Sequence, residues 1–322
     1  MTFHKDVLRI DPAAVTETLV ANLRRDVRQT LRRSGAAVGI SGGVDSSTVL
    51  ALCVRAFGPQ RVIGVMMPEK DSSRDSIVLA RKVAEHLGVE TVVEDMTGAL
   101  VGLGCYDRRD QAIKRVFPEY DPSYKAKISL PQNVLDSDVL NVFYLTIITP
   151  EGEEKSKRLN LRDYLQIVAA SNFKQRSRMA MLYYHAESRN YAVVGTPNKN
   201  EHEQGFFVKW GDGGYDVAPI RHLFKTQVYQ LAEYLDVPQE IRQATPTTDT
   251  YSAHSSQQEF FFRLPFEVMD LLWYAQEHDV PVAQVAQVME LTAEQVRRVF
   301  NDLERKRRTT AYLRAPPIGY GG

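Results

Sequence analysis

Two groups of residues in this chain have types and spacing that suit chemistry. The first is Ser41, Gly42, Gly43, Val44, Asp45, Ser46 and Ser47, set between an apolar run at 36–40 and a helical pattern at 47–57. A glycine pair at a strand-to-helix turn lets the backbone come close to a ligand, because no Cβ intervenes. The helix start offers unpaired N–H groups and the positive end of its dipole, which suits phosphate. Asp45 sits inside this anion cradle, which makes poor sense against bare phosphate and good sense with Mg²⁺ between the two. The second group comprises Gly195, Thr196, Asn198 and Glu201, then Lys209, Asp212 between glycines and Asp216, and finally Lys225 at the opening of a helix.

The elements that must position these groups alternate. Strands are expected at 36–40, 61–67, 89–96 and 191–195, with helices at 47–57, 74–87 and 172–189. Such alternation predicts a doubly wound parallel α/β sheet covered on both faces, with ligands at the carboxyl ends of the strands. Residues 13–33 predict an amphipathic helix, packed on the sheet or on a second subunit, with its arginines in solvent. The stretch 106–165 breaks the rhythm. It reads as a β-hairpin insertion from 139–149 and 155–161 around the turn at 150–154. Residues 266–322 predict a helical extension packed on the same domain, which would span 1–265. Within it, 280–310 has a helix-turn-helix cadence ending in basic residues, so a DNA-binding reading stands as an alternative.

Composition narrows the function classes. The 322 residues carry 40 Lys+Arg against 40 Asp+Glu, so no overall field draws the chain to nucleic acid or membrane. No apolar run reaches the roughly 18 residues of a membrane span and no signal peptide opens the chain, so the cytoplasm is the expected location. Two cysteines occur, Cys53 and Cys105, without a C-x-x-C pair. That excludes a cysteine zinc site and a paired-cysteine thiolation mechanism. Cys53 is expected in a helix's apolar face, and Cys105 in a loop.

The 41–47 turn lacks the lysine of a Walker A loop, since none occurs between Gly42 and Leu52. It resembles the loop of ATP pyrophosphatases, which cut between the α and β phosphates and leave AMP on a substrate oxygen. The second group adds Gly205, Phe206 and Phe207, the Lys209-Trp210-Gly211-Asp212-Gly213-Gly214 run, Pro219, and Leu223, Lys225, Gln227 and Val228. With Met67-Pro68, Ser72-Ser73, 172–179 (NFKQRSRM) and Pro246-Thr247, the chain is similar to the NAD synthetase family. The resemblance covers about 15–105 and 165–320. It leaves out the insertion and matches 245–256 only in part.

The resemblance implies a Rossmann-like fold of the adenine nucleotide alpha-hydrolase type. It also implies amidation of deamido-NAD with ammonia through an acyl-adenylate, using ATP and Mg²⁺, in a homodimer. Ser41, Gly42, Gly43, Asp45, Ser46, Ser47, Thr196, Lys225 and Thr247 would bind ATP. Asp45 and Glu201 would hold Mg²⁺. Asp45, Asp212 and Lys225 would be catalytic, with Asp212 near the ammonia. Arg176, Arg178, Lys209, Asp212 and Asp216 would bind the acid substrate. Other readings stay open: Asp212 as a turn residue, Arg176 and Arg178 in structural ion pairs, Lys209 as packing. Only 40 residues precede the loop, too few for a glutaminase domain, so free ammonia or a separate glutaminase partner is expected. A related AMP-forming amide ligase acting on another carboxylate is the alternative.

Overall fold

In a computed structural model, residues 3–129, 134–135, 143–246, 251–253, 257 and 261–320 are described. The chain runs α1 (Pro12–Arg24), β1 (Gly35–Gly39), α2 (Val44–Phe57), β2 (Val62–Met66), α3 (Arg74–His86), β3 (Glu90–Val93), α4 (Thr97–Gly102) and α5 (Cys105–Val116). It continues through β4 (Lys125–Ser129), β5 (Tyr144–Ile148), β6 (Glu154–Arg158), α6 (Leu161–Glu187), β7 (Tyr191–Val193), α7 (Lys199–Gln204) and α8 (Lys225–Tyr234). The last helices are α9 (Gln239–Gln243), α10 (Phe266–Glu277), α11 (Val282–Met289), α12 (Ala293–Thr309) and α13 (Ala311–Arg314).

A parallel sheet in the order β3-β2-β1-β7 forms the centre. Alternate residues of its strands face opposite layers, as the two-residue period of a strand requires. Ala36, Val38 and Val62 pack into a core with Leu50 and Cys53 of α2 and Leu231 of α8. Ala37, Ile63, Val65 and Val193 pack against Leu182 and Ala186 of α6 on the other face. The expected doubly wound α/β sheet is therefore present. The chain leaves β1 toward β2 on one side and β7 lies on the other, so the carboxyl ends of β1 and β7 flank a topological switch point. A ligand crevice is expected there.

The insertion differs from its expected form. It is a three-stranded antiparallel sheet, β4-β5-β6, not a hairpin. β4 was not anticipated, and residues 139–142 of the expected first strand lie outside the described residues. Residues 105–116 are a helix packed on α6 instead of insertion. Cys105 accordingly is no loop residue: it opens α5, is fully buried, and its thiol donates to the Ala170 carbonyl at 3.2 Å. The helix expected at 172–189 starts eleven residues earlier, at Leu161 (172 − 161), where the Asn160 side chain accepts the Asp163 N–H at 2.9 Å. α6 packs on the sheet and on α5 together, so its apolar residues are spread around it and its period is blurred.

α1 packs on α2 and α8, two helices of the layer that covers one face of the sheet, where packing on the sheet or on a second subunit was expected. It is shorter than expected and passes into a π-helical turn, Arg25–Thr30. The C-terminal helices share a core with the body: Phe224 meets Trp273 of α10 edge-on, and Val285, Val296 and Leu303 close the cluster. Lys306 of the basic segment points inward, donates to the Phe261 carbonyl at 2.9 Å and pairs with Asp302 at 3.0 Å.

Candidate active site

A cavity of about 1020 Å³ opens at the switch point. Its floor is the turn after β1. Gly42 has φ +80°, and a Cβ there would lie 2.5 Å from the Ser76 carbonyl oxygen of α3. Only glycine permits this approach. Ser46 Oγ donates to the Gly43 carbonyl at 3.1 Å and lies 3.3 Å from Ser41 Oγ, which locks the turn. No side chain caps α2, so its first N–H groups are left for an anion. Ser41, Gly42, Gly43, Asp45 and Ser46 line the cavity, as does Thr196 beyond β7. Ser47 does not: it is fully buried behind the turn and its N–H donates to the Gly43 carbonyl. Thr247 lies outside the described residues.

Three elements bring their charged groups together above this floor. Lys225 is the first residue of α8, 1% exposed, and its ammonium bonds Asp45 Oδ2. Asn198 Nδ2 donates to Asp45 Oδ1 at 2.9 Å. Asn198 and Glu201 form a reciprocal capping box at the start of α7: the Glu201 N–H reaches Asn198 Oδ1 at 3.0 Å, and the Asn198 N–H reaches Glu201 Oε2 at 3.2 Å. Gln257 Nε2 donates to Glu201 Oε1 at 3.3 Å. Burial, and then the Asp45 charge, push the Glu201 carboxyl up to about 8, with Lys225 opposing. Burial works against the charge on Lys225, but Asp45 and Glu201 outweigh it and raise its pKa.

Asp270 of α10 secures the lysine from behind. It is fully buried, accepts from the Thr226 N–H and hydroxyl at 2.9 Å each, and is bonded by Asn200 Nδ2. Asn200 Oδ1 in turn accepts the Lys225 N–H at 3.0 Å. Burial pushes Asp270 up to about 6.

The donor set fits a hard divalent cation. Two carboxylates face one cavity, and the raised Glu201 pKa marks negative charge that a cation would relieve. One or two carboxylates with phosphate oxygens are the usual ligands of Mg²⁺, and Asp45 and Glu201 beside the cradle would supply the protein's share of such a set.

Asp212 lines the far side of the cavity, open to it yet densely surrounded by protein. Burial pushes its carboxyl up to about 6, against the Val208 N–H that donates to Oδ1 at 2.7 Å. Arg178 also lines the cavity; its Nε donates to the Met67 carbonyl at 3.0 Å and Nη2 to Ser72 Oγ at 3.3 Å. The same β2–α3 connection is held from below. Lys174 pairs with Glu69 at 2.9 Å and Asp71 at 2.7 Å, and Arg109 also pairs with Asp71. Burial opposes the Asp71 charge, but these cations hold its carboxyl below the usual range.

Three expected substrate residues stand away from the cavity. Arg176 is exposed, with Nε 3.3 Å from the Lys209 carbonyl, on a second cavity beside Arg108 and Phe173. Lys209 Nζ is tied to the carbonyls of Tyr312 at 3.0 Å and Ala315 at 2.7 Å. Asp216 pins the sheet: Oδ2 accepts the Val193 N–H at 2.8 Å and Oδ1 the Tyr183 hydroxyl at 3.0 Å. Asp216→Ala is therefore expected to lower stability by about 1–3 kcal/mol, with turnover per folded molecule unchanged. Melting curves beside active-site titration check this.

Sequence reasoning placed Asn198 in the second group without giving it a role, and it assigned none to Asn200, Lys174, Gln257 or Asp270. The N-x-x-E spacing of a capping box was a readable signal for Asn198. Gln257 and Asp270 carry no local signal, because distant segments bring them in.

The model of the NAD synthase family matches residues 15–111 and 140–315. The chain is 50% identical over 312 residues to the NH(3)-dependent NAD(+) synthetase of Mesorhizobium japonicum, covering 97% of this chain and 98% of that one. It is 46% identical over 317 residues to the enzyme of the same name from Rhizobium meliloti, covering 98% and 94%. The NH3-dependent NAD synthetase structure from Campylobacter jejuni superposes with a TM-score of 0.60 at 20% identity, covering 97% of this chain and all of that one. That likeness shows the fold. Matched along most of its length by the family model and end to end by its relatives, this chain belongs to the NAD synthase family.

Proposed function

We propose that the protein is an ammonia-dependent NAD synthetase, converting deamido-NAD, ATP and ammonia to NAD⁺, AMP and pyrophosphate. The observation that carries this is the meeting of Asp45, Glu201 and Lys225 over the 41–46 cradle at the switch point. The deamido-NAD carboxylate attacks the α-phosphorus, the bond to the β-phosphate oxygen breaks, and pyrophosphate leaves. The first N–H groups of α2, Ser46 and Thr196 hold phosphate oxygens, and Lys225 turns its charge from Asp45 to the phosphates. Asp45 and Glu201 would hold Mg²⁺, which neutralises the charge gathering on the phosphates. Ammonia then attacks the acyl carbon and AMP leaves. Asp212 orients ammonium and takes its proton. No enzyme nucleophile takes part.

Purified protein incubated with deamido-NAD, ATP, Mg²⁺ and ammonium should form NAD⁺ and AMP in equal amounts. ADP as product, or amidation of another acid with deamido-NAD ignored, overturns the reading. The raised Asp212 pKa gives a second expectation. Turnover at limiting ammonium should rise as pH climbs through about 6, where Asp212 ionises. Asp212→Asn should cut kcat/KM for ammonium about a hundredfold and erase that limb, with KM for ATP little changed. A pH profile of both proteins reads this.

The homodimer belongs to the same proposal. Leu161 and Leu165, one turn apart on α6, stay exposed and offer apolar contacts to a second copy. Among the described residues no helix is long and apolar enough to cross a membrane, and we place the enzyme in the cytoplasm with its substrates. Ammonia comes free or from a separate glutaminase.

A further inference from the structure

The insertion has so far been given no role, and β4 lies outside both stretches that match the family. Yet the insertion reaches the cavity: Pro122, Ser123, Tyr124 and Lys125 form part of its wall. The inner face of the sheet, from Ala126, Ile128, Leu145 and Ile147, packs on Phe117 and Ile167. Tyr251 completes that cluster, although it comes from the segment beyond α9. Beside it, at the free edge of β4, Ala126 makes two bonds. Its N–H donates to Ser252 Oγ at 2.9 Å, and its carbonyl accepts the Ala253 N–H at 3.2 Å. Segment 251–253 is thus added to the edge strand, which also shields an edge that would otherwise be open. Tyr251 and Ser252 themselves line the cavity. Further along, the Gln257 N–H donates to the Pro246 carbonyl at 2.9 Å while its side chain holds Glu201.

From this geometry we propose that the inserted sheet positions the ATP site. Docking of Tyr251 and Ser252 on β4 fixes this side of the cavity wall, where Gln257 also lies and holds the Glu201 carboxylate in place for the nucleotide and its metal. Tyr251 and Ser252 are positioning residues, which act through Gln257. The argument rests on the ATP-binding part of the function proposed above and not on the identity of the acid.

The test is the affinity of the full chain for ATP with Mg²⁺, measured by calorimetry without deamido-NAD, beside steady-state kinetics. Ser252→Ala removes one hydrogen bond and is expected to weaken ATP binding about fivefold. Tyr251→Ala empties the shared cluster and is expected to weaken it at least about tenfold, raising KM for ATP and leaving KM for ammonium in place. Tyr251→Phe keeps the ring in the cluster and should restore most of the affinity. A folded Ser252→Ala or Tyr251→Ala protein with wild-type ATP affinity overturns the proposal. So does an equal shift in KM for ATP and ammonium. Failure of the wild type to make NAD⁺ while binding ATP normally would overturn the function and leave this test standing.

Discussion

Lys225→Ala is expected to lower kcat for NAD⁺ formation by about a thousandfold and to lower the melting temperature as well. Both effects follow from where the ammonium sits. It is 1% exposed, bonded to Asp45 and near enough to Glu201 for each carboxylate to raise its pKa. Its backbone is fixed by Asn200, and Asn200 and Thr226 by Asp270, so the charge is aimed before substrate arrives. Preorganised charge of this kind costs no reorganisation during reaction, and removing one such group costs about 10²–10³ in rate. Removal also leaves two partly buried carboxylates without their cation, and the full cost of breaking a buried pair, about 3–5 kcal/mol, is an upper bound here. The two losses separate under Mg²⁺. A divalent cation between Asp45 and Glu201 should return part of the lost melting temperature but not the rate, because the phosphates still lack their lysine. A variant that melts like the wild type and keeps a tenth of its turnover would sink this assignment.

The parts of the site that were legible in the sequence are those built by neighbours in sequence. The glycine pair at 42–43 announces a tight turn, and at Gly42 the backbone admits no Cβ, while the apolar runs either side supply strand and helix. The N-x-x-E pair at Asn198 and Glu201 is equally local. What stayed hidden is tertiary. Asp270 reaches α8 from a helix 45 residues further on (270 − 225), and nothing in its own surroundings marks it. Asp216 shows the reverse case. Its place in a motif suggested a ligand, yet β7 is short and the Val193 N–H needs an acceptor, which Asp216 supplies. Ser47 looked like part of the cradle by adjacency, but the helical turn of α2 rotates it to the interior while Asp45 and Ser46 line the cavity. The start of α6 and the strand β4 escaped because one is apolar on several sides and the other has β5 of the insertion as its strand partner and residues 252–253, far along the chain, on its other edge.

Glu201→Gln should separate stability from function in opposite directions. The carboxyl titrates at about 8 in the folded protein against an ordinary 4.5, chiefly through burial and then the Asp45 charge. The folded state therefore binds this proton more tightly than the unfolded chain. Stability from this group is fully present below about pH 4.5 and is lost as pH rises through about 8. Glutamine keeps the shape and the acceptor oxygen toward the Asn198 N–H but cannot ionise. Without metal, the variant should melt with the wild type near pH 5 and above it at pH 8.5, by roughly 5 °C. Added Mg²⁺ should raise the wild-type melting temperature at pH 8.5, since the cation neutralises the charge that burial penalises, and should raise the variant's much less. Turnover should fall about a hundredfold or more, because a neutral amide gives the metal a weak ligand. Those results would make the repulsion between Asp45 and Glu201 in the ligand-free protein a cost to folding that cation binding relieves. A Glu201→Gln protein that melts below the wild type at pH 8.5 without metal would show that Lys225 alone satisfies both carboxylates, and the stored repulsion would have to be abandoned.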